Sequence, residues 1–139
     1  MSDAASIARE LTEAWNRRDW GRYRELLHSQ YSYTGGDGQV QNGPEAGLAL
    51  GQMWAAAYPD GKIDVQRIHA AGDTAIAEFI ARGTHKGDLM GIAPTGKSIT
   101  IPVCNVLEVR DGKIYREREY MDMATMMAQL GVMPAGAPA

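Results

Sequence analysis

Three residues in the last third of this chain could handle protons together: His85, Asn105 and Glu119. A carboxyl in an apolar surround is pushed toward neutral pKa by desolvation, which suits a general base or acid working near pH 7. An asparagine amide can donate to a developing oxyanion or enolate. A histidine can carry a second proton in the same pH range. Such a trio would serve proton abstraction from a carbon next to a carbonyl. The same residues also allow a purely structural reading. Arg116-Glu117-Arg118-Glu119 fits a solvated charge ladder, Asn105 a satisfied amide, and His85 a surface residue at a strand end.

The elements that must position these residues run helices first and strands later. Ser2-Asp3 can cap a helix in which Ile7, Leu11 and Trp15 recur every four residues, and Asp19 caps a second helix burying Tyr23, Leu26 and Leu27. Tyr31–Thr34 reads as a short strand stopped by Gly35-Gly36-Asp37-Gly38. Gly43-Pro44 opens a third helix reaching about Tyr58. Strands follow over Ile63–Ala70, Thr74–Thr84, Ser98–Val109 and Lys113–Met121, and Asp122 caps a last helix that Gly131 ends. Helices segregated ahead of a mostly antiparallel sheet define an α+β domain over residues 1–133, with a disordered tail at 134–139. A curved sheet wrapped around the N-terminal helices leaves a cone with an internal apolar pocket.

Whether Glu119 enters that pocket depends on one hairpin. On Ser98–Val109 the odd positions Ile101, Val103, Leu107 and Val109 are apolar, so they face inward and carry Asn105 with them. If Asp111-Gly112 is a two-residue type I′ turn, Asn105 lies opposite Arg118, and Arg116 and Arg118 point inward. If Arg110-Asp111-Gly112 is a three-residue loop, Asn105 faces Glu117, Val103 faces Glu119, and the arginines reach water. Desolvation favours the second register, because a carboxyl can neutralise itself by taking a proton and arginine cannot. In that register Glu119 sits beside Val103 and Met121, and Glu117 shares its wall. Tyr33, Trp15, Trp54 and Met90 are the candidates for shaping the pocket.

Composition narrows the partners. Net charge is −3 with no clustered Lys or Arg, which argues against nucleic acid. One cysteine, Cys104, excludes an internal disulfide and offers no metal-ligand spacing. No apolar run approaches the length of a membrane span and no signal-peptide core is visible, so a cytoplasmic protein with no membrane partner is expected. Eight Met against one Phe suggest an adaptable, Met-lined interior.

The chain resembles the SnoaL-like polyketide cyclases of the NTF2-like (nuclear transport factor 2-like) superfamily. The resemblance is carried by His28-x-x-Tyr31, Gly43-Pro44, Gly83-x-His85-x-Gly87-x-x-x-Gly91-x-x-Pro94-Thr95, Val109-x-Asp111-Gly112-Lys113-Ile114 and Gln129-Leu130-Gly131. It implies a homodimeric cone that closes a ring in a polyketide ester by intramolecular aldol chemistry, with neither metal nor cofactor. It places the family's acid/base aspartate on Glu119, a histidine on Asn105 and an active-site asparagine on Tyr33. This chain therefore differs at all three positions, and its carboxyl reaches one methylene deeper. The implied partner is a small or medium apolar carbonyl-bearing molecule. The alternative on the same fold is a non-catalytic small-molecule-binding protein.

Overall fold

Local capping sets where the helices begin and end. In the computed structural model, which describes residues 3–132, α1 (Ala4–Arg17) starts at Asp3, whose carboxylate accepts from the Ser6 backbone N–H at 2.8 Å. The stripe Ile7, Leu11 and Trp15 is buried together with Ala4, Ala8 and Ala14. Arg18 ends the helix in the left-handed region at φ 58°. Its guanidinium offsets that strain by donating to the carbonyls of Trp15, Pro59 and Gly61 at 2.9, 3.1 and 3.0 Å, which ties α1 to the loop after the third helix. Asp19 caps α2 (Trp20–Glu25), Pro44 opens α3 (Pro44–Ala57), and Asp122 caps α4 (Met123–Leu130), all as the residue types predict.

Six strands form one curved, unclosed sheet. They are β1 (Leu27–Thr34), β2 (Val40–Asn42), β3 (Lys62–Ala71), β4 (Thr74–Thr84), β5 (Ser98–Arg110) and β6 (Lys113–Met121), in the spatial order β2-β1-β6-β5-β4-β3. Every pair is antiparallel except β1 with β6, which run parallel, with Tyr33 opposite Glu117. The sequence reading contained neither β2 nor this parallel pairing, and it began β1 four residues too late. Short-range patterns report a strand's existence but not which distant strand completes its hydrogen bonds. Helix α1 packs across β3, β4 and β5, and α3 packs on β1. The expected tail at 134–139 lies outside the described residues.

The β5–β6 hairpin corrects both registers weighed from sequence. Asp111 and Gly112 stand at φ 55° and 73°, and Arg110 pairs with Lys113, so the turn is the two-residue type I′ form. Val109 pairs with Ile114, yet Glu108 pairs with Arg116, so Tyr115 is an extra residue in β6. This bulge reverses the in–out alternation beyond it. Ile114 points inward, and after the bulge Glu117 and Glu119 do as well, while Arg116 and Arg118 face out. Asn105 consequently pairs with Glu119 rather than with Glu117, and Val103 pairs with Met121 rather than with Glu119. The carboxyls point inward as expected, but through a bulge rather than a longer loop. Tyr115 is held outside by Arg110, whose guanidinium lies 3.9 Å from its ring centroid, and by an edge contact with His28.

Candidate functional site

Two glutamates and two tyrosines meet inside the cone because both pairs alternate along their strands. Tyr31 and Tyr33 on β1 face inward, as do Glu117 and Glu119 on the neighbouring β6. The Tyr31 hydroxyl donates to Glu117 Oε1 at 2.6 Å, and the Tyr33 hydroxyl donates to Glu119 Oε1 at 2.7 Å. From β5, the Asn105 amide Nδ2 donates to Glu117 Oε2 at 2.9 Å, while its Oδ1 is buried without a partner among the described residues. Glu117 is 5% exposed and Asn105 6%, whereas Glu119 is half-buried.

Burial is the main perturbation of this cluster. It pushes the Glu117 carboxyl up from 4.5 to about 7; the neighbouring Glu119 charge adds to the effect and the Tyr31 hydrogen bond opposes it. Burial raises Glu119 too, against hydrogen bonds from Tyr33 and Asn105. The Tyr33 phenol is held well above its ordinary value, first by burial and then by the Glu119 charge. It therefore stays protonated and serves as a donor.

Glu117, Glu119, Asn105 and Tyr33 line a cavity of about 100 Å³ that opens at a mouth. Of the residues named from sequence, Glu119, Asn105, Tyr33, Trp15, Trp54, Glu117 and Val103 all stand in its wall. Trp15 is fixed by its Nε1, which donates to the Gly51 carbonyl at 2.9 Å. His85 and Met90 are not among the lining residues. Met90 is 56% exposed on the loop after β4. His85 is fully buried, with its Nδ1 accepting from the Thr95 backbone N–H at 3.2 Å and its ring packed on Tyr58.

The sequence reading missed Tyr31, Tyr23 and Tyr58 as site residues. Tyr23 and Tyr58 line the cavity, and Tyr31 grips Glu117 from behind. One signal was available for Tyr31: the Tyr-x-Tyr spacing on β1 matches the Glu-x-Glu spacing on β6. Among the described residues, no group of three or more His, Cys, Asp or Glu is placed to hold a metal ion, and no helix is long and apolar enough to cross a membrane.

Comparison with known proteins decides the kinship. The profile of the SnoaL-like polyketide cyclase family matches residues 5–130. This chain belongs to that family. An aklanonic acid methyl ester cyclase of Streptomyces galilaeus is 26% identical over 134 residues, covering 94% of this chain and 92% of the relative. The nogalonic acid methyl ester cyclase of Streptomyces nogalater is 28% identical over 93 residues, covering 66% of this chain and 69% of the relative. Among solved structures, IdmH of Streptomyces antibioticus, described as a candidate polyketide cyclase, superposes with a TM-score of 0.81 at 32% identity, over 94% of this chain and all of its own. A protein of ketosteroid isomerase-like fold from Catenulispora acidiphila superposes with a TM-score of 0.78 at 19% identity, over 96% of this chain and 97% of its own. That last likeness speaks to the fold alone, the NTF2-like cone. In this SnoaL-like chain, then, the cone's inner wall carries the carboxyl pair.

Proposed function

We propose that this protein is a cofactor-independent cyclase that closes a carbon–carbon ring by intramolecular aldol addition, with Glu119 as the acid/base. The observation that carries this reading is the Glu119 carboxyl, raised by burial, held by Tyr33 at 2.7 Å, and open to an apolar cavity. In its ionised form Glu119 takes a proton from the carbon beside a carbonyl, and the electron pair moves onto the carbonyl oxygen as an enolate. The enolate carbon then attacks a second carbonyl of the same molecule, forming the new bond. The resulting alkoxide recovers the proton from Glu119, leaving the carboxylate as it began. The Asn105 amide turns its second N–H from the Glu119 carboxyl to the developing oxyanion, and Tyr33 fixes the carboxyl's orientation. A cavity of about 100 Å³ that opens at a mouth fits a substrate with its reacting carbons inside and the remainder outside. A homodimer in the cytoplasm is part of the same proposal.

The test uses the methyl esters of aklanonic and nogalonic acid in deuterated water, following ring closure and deuterium uptake next to the ketone. Wild type is expected to accelerate both. Glu119→Gln is expected to lose at least about a hundredfold, the low end of what a positioned acid/base contributes, while its thermal unfolding still shows a cooperative fold. Unchanged rates in Glu119→Gln, or no acceleration by wild type, would sink the reading and leave a binding protein.

A further inference from the structure

Trp54, Tyr58 and His85 form a run of packed rings at the end of the cavity away from Glu119. Trp54 and Tyr58 stack with centroids 6.2 Å apart and planes 11° from parallel, and the Tyr58 and His85 ring centroids are 5.7 Å apart. Tyr58 packs on Gly83, whose partner on β5 is Ile99. Asn105, opposite Glu119, lies six residues further along that strand, about 20 Å of extended chain.

Each ring carries a buried polar atom with no protein partner among the described residues: Trp54 Nε1, the Tyr58 hydroxyl and His85 Nε2. Their chemistry is one-sided. Indole nitrogen can only donate. The Thr95 backbone N–H donates to His85 Nδ1 at 3.2 Å, so in the neutral ring the hydrogen resides on Nε2, an assignment from hydrogen-bond geometry. Tyr58, 4% exposed, adds a hydroxyl whose burial pushes its pKa up to about 12, so it remains a donor. Three donors with no protein acceptor are costly to bury, and an oxygen from outside the protein relieves that cost.

We infer that this cluster is an acceptor-binding subsite that takes a carbonyl-type oxygen of a ketone, quinone or ester on an otherwise apolar substrate. Trp54 and Tyr58 line the cavity, so a small turn of each side chain brings its enclosed donor to that oxygen, and His85 acts behind Tyr58 as a positioning residue. The substrate then carries an acceptor oxygen remote from the carbon that loses its proton. The inference rests on the proposed reaction only for which end of the molecule reacts; binding at Trp54 and Tyr58 stands without it.

The experiment compares acetophenone with ethylbenzene, which differ by a carbonyl in place of a methylene, in the full chain carrying Glu119→Gln so that no chemistry intervenes. Titration calorimetry gives the affinity in every variant, and the Trp54 indole ¹⁵N–¹H signal, assigned by its loss in Trp54→Phe, locates the probe in the chains that keep Trp54. Acetophenone is expected to bind about tenfold tighter, as one good hydrogen bond provides, and to move that signal. Tyr58→Phe and Trp54→Phe are each expected to remove most of the preference. Tyr58→Phe should also keep or raise the melting temperature without ligand, because the hydroxyl it deletes has no protein partner. Equal binding of the two probes, a preference that survives both substitutions together, or a drop of several degrees in Tyr58→Phe would overturn the inference. A wild type that shows the preference but no deuterium uptake would sink the reaction and leave the subsite standing.

Discussion

Glu117 is the residue whose chemistry is most at odds with its surroundings. It is a carboxyl almost closed off from water, with a second carboxyl two residues along the same strand. Its pKa rises from an ordinary 4.5 to about 7 on folding, so between those values the folded state binds more protons than the unfolded one. The stability it contributes is complete below about pH 4.5, declines as pH rises toward 7, and is gone above that. The difference corresponds to about 3 kcal/mol, at about 1.4 kcal/mol per pH unit. Urea unfolding at pH 5 and pH 8 is expected to show wild type more stable at the lower pH. Glu117→Gln should flatten that dependence and gain at pH 8, with the Asn105 amide turned so that its unpartnered Oδ1 accepts from the new Nε2. A wild type equally stable at both pH values would refute the assignment.

At the scale of elements, two devices place the site: the Tyr115 bulge that turns Glu117 and Glu119 inward, and the seating of the α3 C-terminus against the segment after β4. The second explains the Gly83-x-His85-x-Gly87 spacing. Lys86 and Gly87 donate their backbone N–H groups to the Ala57 carbonyl at 3.0 and 3.1 Å. A Cβ on Gly87 would lie 2.1 Å from the Ala56 carbonyl oxygen, a backbone atom that cannot swing away. Gly87→Ala is therefore expected to cost about 2 kcal/mol or more, in the range of overpacked cores, and to loosen Trp54 and Tyr58 because they lie on and just past the displaced helix end. Urea midpoints check the first effect and the Trp54 indole signal the second. An unshifted midpoint would show that the contact yields more easily than its geometry implies.

For the whole molecule, the convex face of the sheet bears on assembly. Ile76 and Tyr120 are 37% and 55% exposed there, beside a groove that includes Ile80, Pro102 and Cys104. Ion pairs of both signs flank it, Arg67–Glu78 at 3.1 Å and Arg118–Glu108 at 2.5 Å, so two copies can meet without like-charge repulsion. Light scattering is expected to give twice the 15.1 kDa chain mass, and Tyr120→Lys with Ile76→Lys to give monomers. A monomeric wild type would refute the dimer. Helix caps at Asp3, Asp19 and Asp122, the proline opening α3, and the alternation that buries Asn105 were all legible in the chain, because each depends on residues within a turn or two of one another. The inward aim of Glu119 was legible as an energetic preference for burying a carboxyl over an arginine, and from the place the family resemblance gives that residue. What the tertiary structure alone decided was the register and the company. A bulge at Tyr115 costs one residue of pairing that no local pattern reports. The parallel contact of β1 with β6 brings Tyr31 and Tyr33 to carboxyls 86 positions away. Local sequence governs which elements form, but the acidity of a buried carboxyl belongs to everything packed around it.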